Sequence, residues 1–321
     1  MMTNPKRLRG LADGIAYYLD DCAIKGQSHR TIEGKRSHLQ RFMIWCSKEG
    51  IIRSKEVSMD VIEAYQSDLF LYRKPKDKAP LEKATIRNHL TAIKMLFRRL
   101  HLRGIIKNNP VALMELPKVP RQLPKGYLDV EEINLVLRQS LIQDYKGIRD
   151  RAILEVYYAT GIRRMELANL DIDDVDLKHY IITVRKGKGG RDRRTPIAEC
   201  SCTWVDIYLK HIRPRLQSLQ SGQALFIDNR GLRYREHQLT RVTSKYVKRS
   251  GVRKSGACNL FRHSTATLMH QNGADIRYVQ DMLGHADIST TQIYTHVAIN
   301  KLREVYAETH PAALRDKGGL E

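Results

Sequence analysis

The chain has no arrangement of residues suited to holding a metal ion. Its five cysteines, Cys22, Cys46, Cys200, Cys202 and Cys258, never fall in a C-x-x-C spacing. An odd set of this kind reads as reduced, mostly structural thiols in a reducing compartment. The 12 histidines include no H-E-x-x-H or similar ligand pattern, so a metal is not indicated. No run of about eighteen apolar residues occurs, which excludes a helical membrane span. The first residues are polar and basic, and no apolar segment follows them that would serve as a secretory signal. The expected location is the cytoplasm, in association with the nucleoid. Internal repeats and low-complexity segments are also lacking.

Acidic residues are outnumbered. Lys plus Arg total 56 against 35 Asp plus Glu, a formal net charge of +21. Such an excess favours a polyanionic partner, because each phosphate neutralised releases condensed counterions. Charge serving solubility alone is the bland alternative; for an acidic membrane surface there is no isolated basic amphipathic segment. The length of 321 residues, 42% of them hydrophobic, suits two domains with packed cores.

The first part reads as helices separated by breakers. Leu11, Ile15, Tyr18, Leu19 and Cys22 recur at helical spacing until Gly26. Ser28 can cap a second helix carrying Ile32, Leu39, Phe42, Met43 and Trp45 toward Gly50. Ser58 can cap a third, with Val61, Ile62, Tyr65, Leu69 and Phe70 on its core side. A basic loop, residues 73–78, leads to a fourth helix bearing Ile86, Leu90, Ile93, Leu96, Phe97 and Leu100, ended by Gly104. Pro110, Pro117, Pro120 and Pro124 then preclude continuous helix or sheet. Residues 116–126 are the expected interdomain linker, either a strap along a phosphate backbone or simply a solvated connection.

A second domain opens at Asp129, a plausible N-cap, with Ile133, Leu135, Val136 and Leu137 as its first apolar face. Another helix spans about residues 147–159. Tyr180-Ile181-Ile182-Thr183-Val184 is β-rich and can pair with Arg193-Arg194-Thr195-Pro196-Ile197 across a glycine-rich turn, Pro196 confining the second strand to an edge or a strand end. From about Cys202 onward the pattern is mainly helical.

Several residues could carry chemistry. Thr160-Gly161 ends one helix and Arg163 opens the next, near its positive end, where an anion is favoured. Glu166 lies on the same helical side and could orient the Arg163 guanidinium; an ordinary surface ion pair is the other reading. The turn from Arg185 to Arg194 holds six basic residues in ten, including Lys186, Lys188, Arg191, Arg193 and Arg194. Lys188, between Gly187 and Gly189, is the candidate proton donor to a leaving alkoxide, unless the turn is only a phosphate-binding loop. Asn259, Arg262 and His263 share one side of a helix; Arg262 can supply a second guanidinium, and His263 reads as a buried core histidine. Gly273, Asp275 and Gly284 bound the next helix, placing His285 at its exit. Ser289-Thr290-Thr291-Gln292 is a capping box that sets Tyr294 on the first turns of a further helix. Guanidinium groups to hold a phosphate and a phenol to attack it suit metal-free phosphodiester chemistry.

Read together, these boxes resemble the tyrosine recombinase (phage integrase) family, most closely its Xer-like branch. The match is carried by LGHADISTTQIYTHV at residues 283–297 and YATGIRRMEL at residues 158–167, with the order arginine box, glycine–lysine hairpin, second arginine, His285, Tyr294 kept between them. The resemblance implies a mainly α fold with a small antiparallel β-sheet, arranged as a two-domain DNA clamp. A SAM-like four-helix core-binding domain would occupy residues 1–115, and an α+β catalytic domain residues 127–321. It implies that Tyr294 is the nucleophile, that Arg163 and Arg262 clamp the phosphate, that Lys188 protonates the leaving 5′-oxygen, and that His285 supports the transition state. The mechanism so implied needs no cofactor. The partners implied are double-stranded recombination sites and a homotetramer on two of them, exchanging a C-terminal helix at residues 302–314, with an accessory protein as a further requirement to test. Arg36, Arg41, Arg87, Lys94 and Arg241 are additional candidates for DNA contact. One position departs: where the family usually has histidine or lysine, three residues before the second arginine, this chain has Asn259, which can donate a hydrogen bond but cannot cycle a proton. The alternatives are a DNA-binding protein of the same fold with weak or lost catalysis, and a type IB topoisomerase-like activity.

Overall fold

The computed structural model describes residues 10–119, 126–141, 144–185, 192–254 and 256–284. The chain divides into two compact units, Met1–Arg121 and Gln122–Glu321.

In the first unit, α1 (Leu11–Ile24), α2 (His29–Lys48), α3 (Met59–Leu71) and α4 (Lys83–Leu102) surround one core. Local capping explains where two of them start: the Ser28 and Ser58 hydroxyls accept from the backbone N–H of Thr31 and Val61, each at 3.3 Å. Gly26 and Gly104 take the left-handed conformation just beyond α1 and α4. Leu39, Phe42, Ile62, Tyr65, Leu90, Ile93 and Phe97 are fully buried, with the Phe42 and Tyr65 rings edge-on at 5.0 Å. Phe70, expected in this core, is instead 68% exposed. Ile62, Tyr65 and Leu69 define the buried face of α3, and the residue after Leu69 is turned about 100° away from it. The basic loop after α3 is tied down: the Arg73 guanidinium donates to the carbonyls of Phe70, Leu71 and Tyr72, which the helix end leaves without partners. After α4 the chain folds back, burying Ile106, Val111 and Met114.

The second unit is built around α6 (Tyr145–Thr160), which buries Arg149, Asp150 and Glu155 along with its apolar residues Ala152, Ile153, Leu154, Val156 and Tyr157. Its buried charges are compensated: Arg149 Nη2 donates to Asp150 at 2.8 Å, and the Tyr246 hydroxyl donates to the other Asp150 oxygen at 2.8 Å. Before it comes α5 (Val130–Arg138), started by a reciprocal capping box between Asp129 and Glu132. On α5 the core takes Ile133, Val136 and Leu137, whereas Leu135, also expected there, is 45% exposed. After it come the short α7 (Arg164–Asn169) and strands β1 (Val175–Asp176), β2 (Ile181–Val184) and β3 (Arg193–Pro196). The sheet is antiparallel in the order β1-β2-β3, with Ile182 opposite Thr195 and Val184 opposite Arg193. β1 was not legible in the sequence, because two residues are too few to show an alternation. Pro196 sits at the end of β3, paired with Ile181. The remaining helices are α8 (Glu199–Ile207), which runs through a π-helical turn into α9 (Arg213–Leu216), then α10 (Glu236–Arg249), α11 (Cys258–Gln271) and α12 (Ile276–Leu283). No helix among the described residues is long and apolar enough to cross a membrane.

Candidate active site

α6 stops at Gly161, whose φ of +57° turns the chain sharply. A Cβ at this position would lie 2.5 Å from Leu283 Cδ2, so the glycine is required both by its conformation and by the approach of α12. Gly161→Ala is expected to destabilise the second unit by about 2–4 kcal/mol, from left-handed strain plus overpacking. That corresponds to a melting temperature roughly 5–15 °C lower. An unchanged thermal transition would refute the close packing.

The turn presents Arg163 as the N-cap of α7, and Glu166 completes a capping box: its carboxylate accepts from the Arg163 backbone N–H at 3.0 Å and from Arg163 Nη1 at 2.9 Å. Nη2 of the same guanidinium donates to the Gly284 carbonyl at 2.7 Å. Arg262, 6% exposed on α11, donates Nη1 to the Gly161 carbonyl at 2.7 Å and Nη2 to the Leu283 carbonyl at 2.8 Å. Arg193, from β3, donates Nε to the Met282 carbonyl at 3.0 Å. Three successive carbonyls at the end of α12 are thus each held by a different arginine. A helix leaves its last carbonyls unpaired and carries partial negative charge there, so cations fit this end. Gly284, in the left-handed conformation with φ +64°, closes the helix on them.

Arg193 uses its other two nitrogens on Glu166, at 3.0 and 2.7 Å. Burial alone would raise the Glu166 carboxyl. The Arg193 hydrogen bonds and charge, then Arg163, override this and bring its pKa down to about 2. With one carboxylate among three guanidinium groups, the cluster remains cationic and draws anions. The reading of Arg163–Glu166 as a surface pair fails, since Glu166 is buried. Arg193, expected as a DNA contact, is turned inward and engaged at every nitrogen, while Arg194 beside it on the strand faces out.

Asn259 is exposed on the first turn of α11, one turn before Arg262. His263, expected to be buried, is only partly so; burial and then the neighbouring Arg262 charge lower its pKa, favouring the neutral ring. The other DNA-contact candidates are distributed over both units. In the first, Arg36 is exposed and paired with Glu33, and Arg41 stacks on the Tyr72 ring at 3.9 Å. Arg87 and Lys94 donate to the Pro117 and Met114 carbonyls at 2.8 and 2.6 Å, pinning the returning segment. In the second, Arg241 lines an open cleft of about 470 Å³ with Arg230, Arg235 and His237 at the start of α10. Arg230 was not among the sequence candidates, since its loop has no helical or strand pattern to mark it. Tyr294, His285, Lys188, Lys186, Arg191, the capping box at residues 289–292 and the helix at residues 302–314 lie outside the described residues.

A basic chain that joins a four-helix unit to an α+β unit with a cationic arginine cluster is of a class suited to a polyanionic partner. The family comparison is specific: the phage integrase SAM-like domain matches residues 11–116 and the phage integrase family matches residues 127–301. The chain is 39% identical to tyrosine recombinase XerC 2 of Ralstonia nicotianae over 91% of its own length and 84% of that protein's. Its fold is shared with the XerH site-specific recombinase in a post-cleavage complex with its palindromic difH substrate. The TM-score there is 0.71 at 23% identity, covering 91% of this chain and 84% of that one. It is shared too with a lambda integrase tetramer bound to a Holliday junction, at TM-score 0.66 and 16% identity, covering 90% and 78%. The chain belongs to the phage integrase family, in its tyrosine recombinase group, and its activity is site-specific recombination of DNA.

Proposed function

We propose that the arginine cluster at the end of α12 is where the scissile phosphate sits, with Arg163 and Arg262 as its clamp. The observation that carries this reading is the convergence of both guanidinium groups on the adjacent carbonyls of Leu283 and Gly284, immediately before His285. Attack by the Tyr294 phenol, which gives up its proton to solvent, forms a P–O bond to the tyrosine and breaks the bond to the 5′-oxygen, which takes a proton from Lys188 as it leaves. Arg163, Arg262 and a hydrogen bond from His285 offset the charge gathering on the non-bridging oxygens. A 5′-hydroxyl of a partner duplex then attacks the 3′-phosphotyrosine, releasing Tyr294, and a second round on the other strands resolves the Holliday junction. No metal and no nucleotide enters this scheme.

In the same reading, residues 1–115 form the core-binding half of a clamp around duplex DNA, residues 116–126 the linker and residues 127–321 the catalytic half. Four protomers act on two sites, exchanging the helix expected at residues 302–314, in the cytoplasm at the nucleoid; whether recombination also requires an accessory protein is tested by adding cell extract to the purified chain. The cleft at the start of α10, with Arg241, together with Arg36, Arg41, Arg87, Lys94 and Arg194, supplies further DNA contacts. The named relatives favour this reading over a binding-only protein or a type IB topoisomerase.

The test is covalent trapping on nicked duplex DNA carrying sequence that flanks the gene. A protein–DNA band stable to denaturant, formed in excess chelator and mapped by mass spectrometry to Tyr294, is expected. Tight, specific binding with no such band would defeat the catalytic assignment. Asn259→His is expected to raise the single-turnover cleavage rate about 10-fold or more and to add a titration near pH 6.5, because an imidazole can exchange a proton where an amide cannot. The exposed first turn of α11 leaves room for the ring. Identical rates across pH would show that this position does not limit catalysis.

A further inference from the structure

Three arginines meet the end of α12, and the scheme above gives work to only two of them. The third, Arg193, is 13% exposed and engaged with protein at each of its three nitrogens: Nε on the Met282 carbonyl, Nη1 and Nη2 in a parallel fork on the two Glu166 oxygens. That geometry leaves it unsuited to gripping DNA. It is well suited to fixing other groups, because a bidentate guanidinium–carboxylate pair restricts orientation as well as distance.

The Glu166 oxygen that accepts from Arg193 Nη1 at 3.0 Å also accepts from Arg163 Nη1 at 2.9 Å. The other oxygen accepts from Arg193 Nη2 at 2.7 Å and from the Arg163 backbone N–H at 3.0 Å. Both ends of Arg163, backbone and guanidinium, are therefore set by a carboxylate that Arg193 holds from the opposite side. Strand alternation delivers Arg193 to this place: Arg193 and Thr195 point inward from β3, and Thr195 Oγ1 also reaches toward the Met282 carbonyl, at 3.4 Å. Gly284 closes the arrangement, since a Cβ there would press on the Arg193 guanidinium at 3.0–3.1 Å.

We infer that Arg193 is a positioning residue for strand cleavage, acting through Glu166 on the Arg163 clamp and tying β3 to the end of α12. This rests on the reading of Arg163 as a phosphate clamp. Removing the Arg193 fork leaves Arg163 present but free to reorient, and misplacement of a catalytic group by about 1 Å is enough for a 10²-fold loss.

The test uses the full chain and the nicked trapping substrate. Arg193→Lys keeps the charge beside Glu166 but cannot form the fork. It is expected to lower the single-turnover cleavage rate at saturating DNA about 10- to 100-fold, with DNA affinity and melting temperature close to wild type. In an Arg163→Ala background the same substitution is expected to cost less than about 2-fold more, because two residues acting as one unit are non-additive. Equal fold losses in both backgrounds would overturn the inference while leaving the clamp intact. Wild-type cleavage by Arg163→Ala would overturn the clamp, and the inference with it. If Arg193→Lys proves unstable, Glu166→Gln removes the same fork from the other side. It must then show the same non-additivity with Arg163→Ala, and full cleavage by it overturns the inference.

Discussion

Tyr294→Phe is expected to abolish the covalent protein–DNA band, a loss on the order of 10⁴-fold or more, while binding to the same DNA persists. The substitution removes one oxygen atom and nothing that bears charge at neutral pH. A phenol's ordinary pKa is about 10, so attack near neutrality depends on cationic surroundings, the part proposed above for the arginine cluster. Four other tyrosines are poor substitutes. Tyr65, Tyr157, Tyr208 and Tyr246 are fully buried, and burial pushes the Tyr208 phenol up to about 12. Tyr278, on α12, is 73% exposed and is the natural control: Tyr278→Phe should trap DNA as wild type does. The experiment is quantitative trapping on a denaturing gel beside a binding isotherm. An undiminished adduct in Tyr294→Phe would remove this residue from the mechanism, and loss in Tyr278→Phe would move attention to α12.

Arg262→Ala carries the second-largest expected effect, with a catalytic and a structural part. Removal of one preorganised donor to developing negative charge costs about 10²–10³ in rate. The structural part follows from what the guanidinium holds: the carbonyls of Gly161 and Leu283 lose their donor inside the protein. Each buried acceptor left unpaired costs about 1–3 kcal/mol, so the melting temperature should fall as well. The two parts separate with Arg262→Lys, which restores charge but offers no planar fork. It should recover much of the stability and little of the rate. A guanidinium carries five N–H donors, so holding two carbonyls and meeting a phosphate are compatible demands on one side chain. Single-turnover cleavage and thermal unfolding, measured on both variants, give the comparison. Cleavage within about threefold of wild type by a folded Arg262→Ala would show that this arginine does not stabilise the transition state.

The helix boundaries show what local sequence can do. Ser28, Ser58, Asp129 and Asp275 each cap the helix that follows, and Gly161 and Gly284 each end one in the left-handed conformation, as their positions foretold. These outcomes depend on atoms within about four residues of the cap, so they are written where they act. The arginine boxes and their order were legible through the family resemblance, and the hairpin between Ile181 and Pro196 through β-rich runs on either side of a glycine-rich turn. Phe70 and Leu135 mark the limit: each adjoins a buried stripe, and a hydrophobic side chain beside a stripe looks the same in sequence whether it turns in or out.

The sequence by itself determined the class of fold, the family, and where along the chain the three arginines stand. Tertiary structure alone decided what those arginines hold. Arg193 reaches Glu166 from 27 residues away, Arg262 reaches Gly161 across 101, and Arg163 reaches Gly284 across 121. A guanidinium at any of these positions could equally have faced solvent or DNA. What turns all three inward is the unpaired end of α12 and a buried carboxylate, and neither exists until α6, β3, α11 and α12 have packed together.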